Sequence, residues 1–214
     1  KELAMIRAIL FDLDGTLIDS TELILVSFNY VMKEYLQKEV PEEEIRNLFG
    51  IPLRKQMALF GTEERADELV ERYREHNLQN HEKYLKPIKG AKETLAALKE
   101  KGYLLGIVTS KKEDAARLGM QICQIESFFD VFVFSDDVTI HKPEPEPILH
   151  ALRQLKVSPK EAVYVGDSTY DIISGKKARV ETVGVGYTPV SREALKATNP
   201  DHWIEEIAEI LEIY

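Results

Sequence analysis

A single cysteine, Cys123, stands among the 214 residues. No internal disulfide can form, and a reducing compartment, the cytoplasm, is the expected location. Long apolar runs are missing as well: none approaches the ~18 residues that a membrane span needs. Positive charge is in deficit, with 28 Lys and Arg against 37 Asp and Glu and a net charge of −9. That balance argues against nonspecific binding to nucleic acid or to an acidic membrane, both of which need basic patches. There is no internal repeat and no low-complexity tract. What remains, 44% hydrophobic and 30% charged residues, is the composition of a soluble globular protein.

Apolar runs mark strands at Ile6 to Phe11, Tyr103 to Val108, Val131 to Phe134, Ala162 to Val165 and Thr182 to Val185. Helix-period segments alternate with them, at Ala91 to Lys101, Glu113 to Ile122, Pro147 to Leu155 and Ile172 to Lys177. Gly102 is placed to end the first of these helices. Alternation of this kind predicts an α/β fold, a Rossmann-like parallel sheet with helices on both faces.

One interval breaks the pattern. From about Asp19 to Lys86 there is no convincing strand. Asp19-Ser20-Thr21-Glu22 looks like a helix start, followed by an apolar face of Leu23, Val26, Phe28, Tyr30, Val31, Tyr35 and Leu36. Pro41 with Glu42 to Glu44 opens a second helix, its acids suited to the first turn. Glu63 to Tyr84 reads as one long charged helix. The expected organisation is therefore an α/β core of residues 1–18 and 87–214 interrupted by a helical domain of residues 19–86.

Open α/β sheets bind ligands at the carboxyl ends of their strands, and polar residues gather at four such ends. Asp12 and Asp14 follow the first strand and Thr109-Ser110 the second; Lys142 comes soon after the third, and Gly166-Asp167-Ser168-Thr169-Tyr170-Asp171 follows the fourth. Carboxylates, a hydroxyl and a cation together suit a divalent metal and a phosphoryl group.

Asp12-Leu13-Asp14-Gly15-Thr16-Leu17 resembles the first motif of the haloacid dehalogenase superfamily, most of whose members are phosphatases. Thr109, Lys142 and Gly166-Asp167 to Asp171 match its second, third and fourth motifs in order, and the helical insertion resembles that superfamily's cap. Glu22-Leu23-Ile24, Gly50-Ile51-Pro52-Leu53 and Asp136 to Pro147 look most like the phosphoglycolate phosphatase branch, and closer still to the bacterial pyrophosphatases beside it.

The resemblance implies a Mg²⁺-dependent phosphatase acting on a small phosphate monoester such as phosphoglycolate, or on inorganic pyrophosphate, as a monomer or homodimer. Asp12 would be the nucleophile and Asp14 the general acid and base. Asp12, Asp167 and the Asp14 carbonyl would hold the metal, with Asp171 either behind these ligands or an alternative metal contact. Thr109 and Ser110 would bind phosphoryl oxygens, and Lys142 would supply fixed positive charge. Arg46, Gly50 and Arg54 are the expected substrate contacts of the cap, which would open and close over the site. Thr109 could equally cap the helix that follows it, and Asp171 could be a first-turn acid. Two other readings stay open at this point: a phosphosugar mutase keeps both aspartates, and a regulatory protein on the same fold would be catalytically idle. A receiver domain fits poorly, since its acids would be adjacent and here they are spaced as Asp12 and Asp14.

Overall fold

The structure, a computed structural model, describes residues 5–188 and 190–214. The chain folds into two units, one of Lys1–Asp19 with Lys86–Tyr214 and one of Ser20–Leu85. No helix among the described residues is long and apolar enough to cross a membrane.

The Ser20–Leu85 unit is helical: α1 (Thr21–Leu36), α2 (Glu42–Arg46), α3 (Leu53–Phe60), α4 (Ala66–Gln79) and α5 (His81–Tyr84). Leu25, Phe28, Val31 and Met32 of α1 bury against Met57 of α3 and Leu69, Val70 and Tyr73 of α4. Phe28 meets Phe60 edge-on at 5.4 Å between ring centres. Two expectations are corrected here. Tyr30 is not part of the buried face; it is exposed and stacks on His76 with 4.2 Å between ring centres. Nor is Glu63 to Tyr84 one helix. The Asn80 side-chain amide donates to the His76 carbonyl at 2.8 Å, the acceptor that a continuing helix would have given to the Asn80 main-chain N–H. That N–H turns to the Asn77 carbonyl instead, at 3.2 Å, and the helix breaks.

Among its described residues the other unit holds eight strands: β1 (Ala8–Phe11), β2 (Ile18–Asp19), β3 (Lys86–Pro87), β4 (Leu104–Val108), β5 (Val131–Val133), β6 (Ala162–Gly166), β7 (Glu181–Val185) and β8 (His202–Ile204). Six of them form one sheet in the order β5-β4-β1-β6-β7-β8, parallel throughout. The helices of this unit are α6 (Ala91–Glu100), α7 (Glu113–Ile122), α8 (Glu146–Leu155), α9 (Thr169–Ala178), α10 (Arg192–Ala197) and α11 (Ile210–Ile213). The antiparallel pair of β2 with β3 marks where the chain leaves this unit and re-enters it.

β1 is central, and its four residues are wholly buried. Ala8 and Leu10 share a core with Val108, Val131, Val133 and Tyr164 of neighbouring strands and with Ile148, Ala151 and Leu152 of α8. Ile9 and Phe11 alternate to the other face, as strand geometry requires. From β1 the chain builds outward first through β4 to β5, then on the other side through β6 and β7 to β8. The order reverses at β1, so the strand ends beside it form the topological switch point where α/β sheets take ligands.

Candidate active site

Register sets the site. Phe11 is level with Ile107 of β4 and Val165 of β6, so the residues beyond those strands emerge side by side. The Asp12 amide donates to the Val165 carbonyl at 2.9 Å, and the Thr109 amide donates to the Val133 carbonyl at 3.0 Å. These bonds extend the ladder by one residue and hold both side chains at the sheet's edge.

Beyond Asp12 the chain turns sharply. The amides of Leu17 and Ile18 both reach the Leu13 carbonyl, and the Gly15 amide reaches Ile18. Gly15 has φ +81°, and a Cβ there would lie 2.2 Å from Asp167 Oδ2. Only glycine meets both demands. The Tyr187 hydroxyl donates to the Thr16 carbonyl at 2.7 Å and braces the turn from outside.

Lys142 is the hub. Its ammonium donates to Asp12 Oδ1 at 3.0 Å, Asp171 Oδ1 at 2.7 Å and the Tyr164 hydroxyl at 3.0 Å. Tyr164 lies within 3.0 Å of the Val108 carbonyl and 3.1 Å of Asp171 Oδ1, to one of which it gives its proton. The second Asp171 oxygen accepts from the Ser168 amide at 3.0 Å and the Ser168 hydroxyl at 2.8 Å, while the Asp171 amide returns a bond to that hydroxyl. This is a capping box at the start of α9. Asp171 is thus a first-turn acid and a partner of Lys142 at once. Both of its oxygens are engaged.

Asp12, Asp167 and Asp171 each offer an oxygen within 4.8 Å of the others, and all three are buried. Burial, then the charge of Asp171, lifts Asp12 to about 7 in spite of Lys142. Burial, followed by Asp12 and Asp171, pushes Asp167 well above the usual carboxylate range. For Lys142, burial pulls downward, but Asp12, Asp171 and Tyr164 outweigh it and hold the ammonium well above the ordinary lysine value. The physical reading is an excess of buried negative charge.

The donor set fits a hard divalent cation. Asp12 Oδ1 is taken by Lys142 and Asp167 Oδ2 accepts from the Thr188 hydroxyl at 2.6 Å. Among the described residues the remaining oxygens, Asp12 Oδ2 and Asp167 Oδ1, accept no hydrogen bond. Free carboxylate oxygens in a small group are the ligands Mg²⁺ prefers.

Asp14 stands outside this trio. Its carboxylate pairs with Lys111, whose ammonium is 3.1 Å from Asp14 Oδ1. Thr109 is buried, and its hydroxyl accepts the Lys111 amide at 3.1 Å. The capping position of α7 belongs to Lys112, so Thr109 does not cap that helix and its O–H has no acceptor among the described residues. Ser110 is exposed at the same turn. Arg46, Gly50 and Arg54 belong to the helical unit. There Arg46 pairs with Glu42, Arg54 pairs with Glu63 and Asp67, and Gly50 takes a positive φ of 87°.

Three contributors carry no role in the sequence analysis, Lys111, Tyr164 and Thr188, and a fourth, Ser168, stands there only as part of the fourth motif. Tyr164 sits inside an apolar strand and reads as core, and Lys111 in a Lys-Lys pair reads as helix surface. Ser168 carried a signal, since Ser-x-x-Asp before a helix suggests a cap. Thr188 carried none.

The family model for haloacid dehalogenase-like hydrolases matches residues 9–185. A Clostridium perfringens protein provisionally named pyrophosphatase PpaX is 44% identical over 98% of this chain and 97% of its own length. The pyrophosphatase PpaX of Bacillus velezensis is 38% identical over 97% of this chain and 96% of its own. A solved structure from Haemophilus somnus, described as a predicted phosphoglycolate phosphatase, superposes with a TM-score of 0.89 at 25% identity, covering 97% of each chain. The chain belongs to the haloacid dehalogenase-like hydrolase family.

Proposed function

We propose that the protein is a Mg²⁺-dependent phosphatase for small phosphoryl compounds, with inorganic pyrophosphate the first candidate substrate and phosphoglycolate the second. The observation that carries the reading is Asp12: one oxygen fixed by Lys142, the other free beside Asp167, and a second carboxylate two residues on. Pyrophosphate stands first because relatives named pyrophosphatase align over nearly the whole chain. Phosphoglycolate stands second on the similar structure described for that substrate.

Asp12 attacks phosphorus, the bond from phosphorus to the leaving oxygen breaks, and Asp14 gives that oxygen a proton. An aspartyl-phosphate results. Asp14 then takes a proton from water, whose oxygen attacks phosphorus and frees Asp12 and inorganic phosphate. Lys142 holds Asp12 in place and offsets charge on the transferring group, and the free Thr109 O–H donates to a phosphoryl oxygen. Asp12, Asp167 and the Asp14 carbonyl would hold Mg²⁺, which when bound would supply the positive charge that lets an anionic nucleophile meet an anionic substrate. Asp171 acts through Lys142 and Ser168.

The test is phosphate release from pyrophosphate, phosphoglycolate, sugar phosphates and p-nitrophenyl phosphate, with Mg²⁺ and with excess EDTA. Pyrophosphate is expected to give the highest kcat/KM, and chelation and Asp12→Asn each to abolish turnover in a folded protein. Activity that survives full chelation, or an active Asp12→Asn variant, would overturn the mechanism. Isomerisation of a sugar phosphate would replace it with the mutase reading.

A further inference from the structure

The site has a second lysine, placed differently from the first. Lys142 lies inside the carboxylate cluster, against Asp12 and Asp171. Lys111 pairs, among the described residues, with Asp14, the side chains being 14% and 28% exposed. Its backbone is pinned from both sides: its amide donates to the Thr109 hydroxyl at 3.1 Å, and its carbonyl accepts the Ser135 amide at 3.0 Å. The ammonium is therefore launched from a fixed point between the ends of β4 and β5. It has three N–H groups, and among the described residues only Asp14 takes one.

In the phosphoryl transfer proposed above, on which this inference rests, the attacking and leaving oxygens lie roughly in line across phosphorus. Asp12 is on the attacking side. Asp14, which protonates the leaving oxygen, marks the other. A cation fixed to Asp14 is thus beside the leaving group, where an uncharged alcohol offers it nothing and an anion offers a partner. We propose that Lys111 is a specificity-determining residue that binds the negative charge of the leaving group, so that the enzyme selects phosphoryl donors whose leaving group is itself anionic, a phosphate or a carboxylate-bearing alcohol. Lysine suits this role, because a compact point charge on a flexible stem follows the substrate more readily than a rigid fork.

The closing experiment uses Lys111→Met and Lys111→Arg in the full chain. Steady-state kinetics are measured on pyrophosphate and on a matched pair of esters, phosphoglycolate and ethyl phosphate, which differ by one carboxylate. The parent is expected to favour phosphoglycolate over ethyl phosphate. In Lys111→Met that ratio of kcat/KM should fall on the order of 10- to 100-fold, mainly through KM, with pyrophosphate falling alongside phosphoglycolate. Lys111→Arg should restore most of the ratio. Equal losses on both esters would make Lys111 a brace for Asp14 and overturn the inference, as would an unchanged ratio. A parent that hydrolyses both esters but not pyrophosphate would overturn the choice of first substrate while leaving the ester ratio to judge Lys111. A parent with no phosphatase activity would overturn both.

Discussion

Replacing Lys142 by methionine isolates what its charge contributes. Methionine keeps most of the stem's volume, so the cavity is small and the loss is mainly electrostatic. The ammonium's side chain is 6% exposed, and its partners Asp12 and Asp171 are 12% and 0% exposed. Removing one partner of a buried pair typically costs about 3–5 kcal/mol, because the remaining charge stays buried without compensation. For a unit of about 150 residues, each kcal/mol lowers Tm by roughly 2–4 °C, so a fall of about 6–20 °C is expected. Differential scanning calorimetry in EDTA is the assay, since a bound cation would stand in for the ammonium. A second variant separates charge from packing. In Lys142→Met with Asp171→Asn, the amide oxygen can keep both Ser168 donors while its NH₂ faces Tyr164, and one buried charge disappears. The double variant should recover at least about 2 kcal/mol, the lower range for an uncompensated buried group. A Lys142→Met protein melting within about 2 °C of the parent, or a double variant weaker than the single, would refute the reasoning.

Gly15→Ala should cost about 2–4 kcal/mol, from a left-handed backbone and a Cβ driven into Asp167, and should raise the Mg²⁺ concentration for half-maximal activity. Asp167 cannot yield freely because Thr188 holds it; parental values for both denaturation and Mg²⁺ titration would count against this account. Cys123 is buried, and burial, then the charge of Asp14, pushes its thiol up to about 11 against the pull of Lys111. At pH 8 only about one thiol in a thousand is then ionised, so native protein should react with iodoacetamide at least roughly 100-fold more slowly than unfolded protein. Comparable labelling rates in the two states would contradict that.

The sheet was legible because buried parallel strands must be apolar on both faces. Ala8–Phe11, Leu104–Val108, Val131–Val133 and Ala162–Gly166 are unbroken runs for that reason, and Glu181–Val185 nearly so. β8 went unread. It is a three-residue edge strand with only Ile204 buried, and an edge needs one covered face, so His202-Trp203-Ile204 carries no run to notice. The break at Asn80 was hidden for a different reason. An asparagine within a helical pattern becomes a breaker only when its side chain takes the carbonyl four residues back, and sequence period does not record that choice.

The site divides along the same physical line. Asp12, Thr109 and Asp167 were readable because each is fixed by its strand: given parallel strands in register, the next residue has one place to go. Asp171 was readable as a helix first-turn acid and as a site residue, and the structure makes these one role, since the oxygen that does not cap α9 is the one that holds Lys142. Lys142 could be placed near the cluster but its partners could not, because they converge from β1, β6 and α9, at separations of 130, 22 and 29 residues. Tyr164 and Lys111 show the limit most sharply. A tyrosine in a core strand and a lysine before a helix each have an ordinary explanation, and what distinguishes them is the atom at the far end of the side chain. Local pattern fixes where a Cα goes and which face its Cβ takes. The position of a hydroxyl or an ammonium several bonds further out depends on which charges have already gathered there, and that is settled only when distant strands pair.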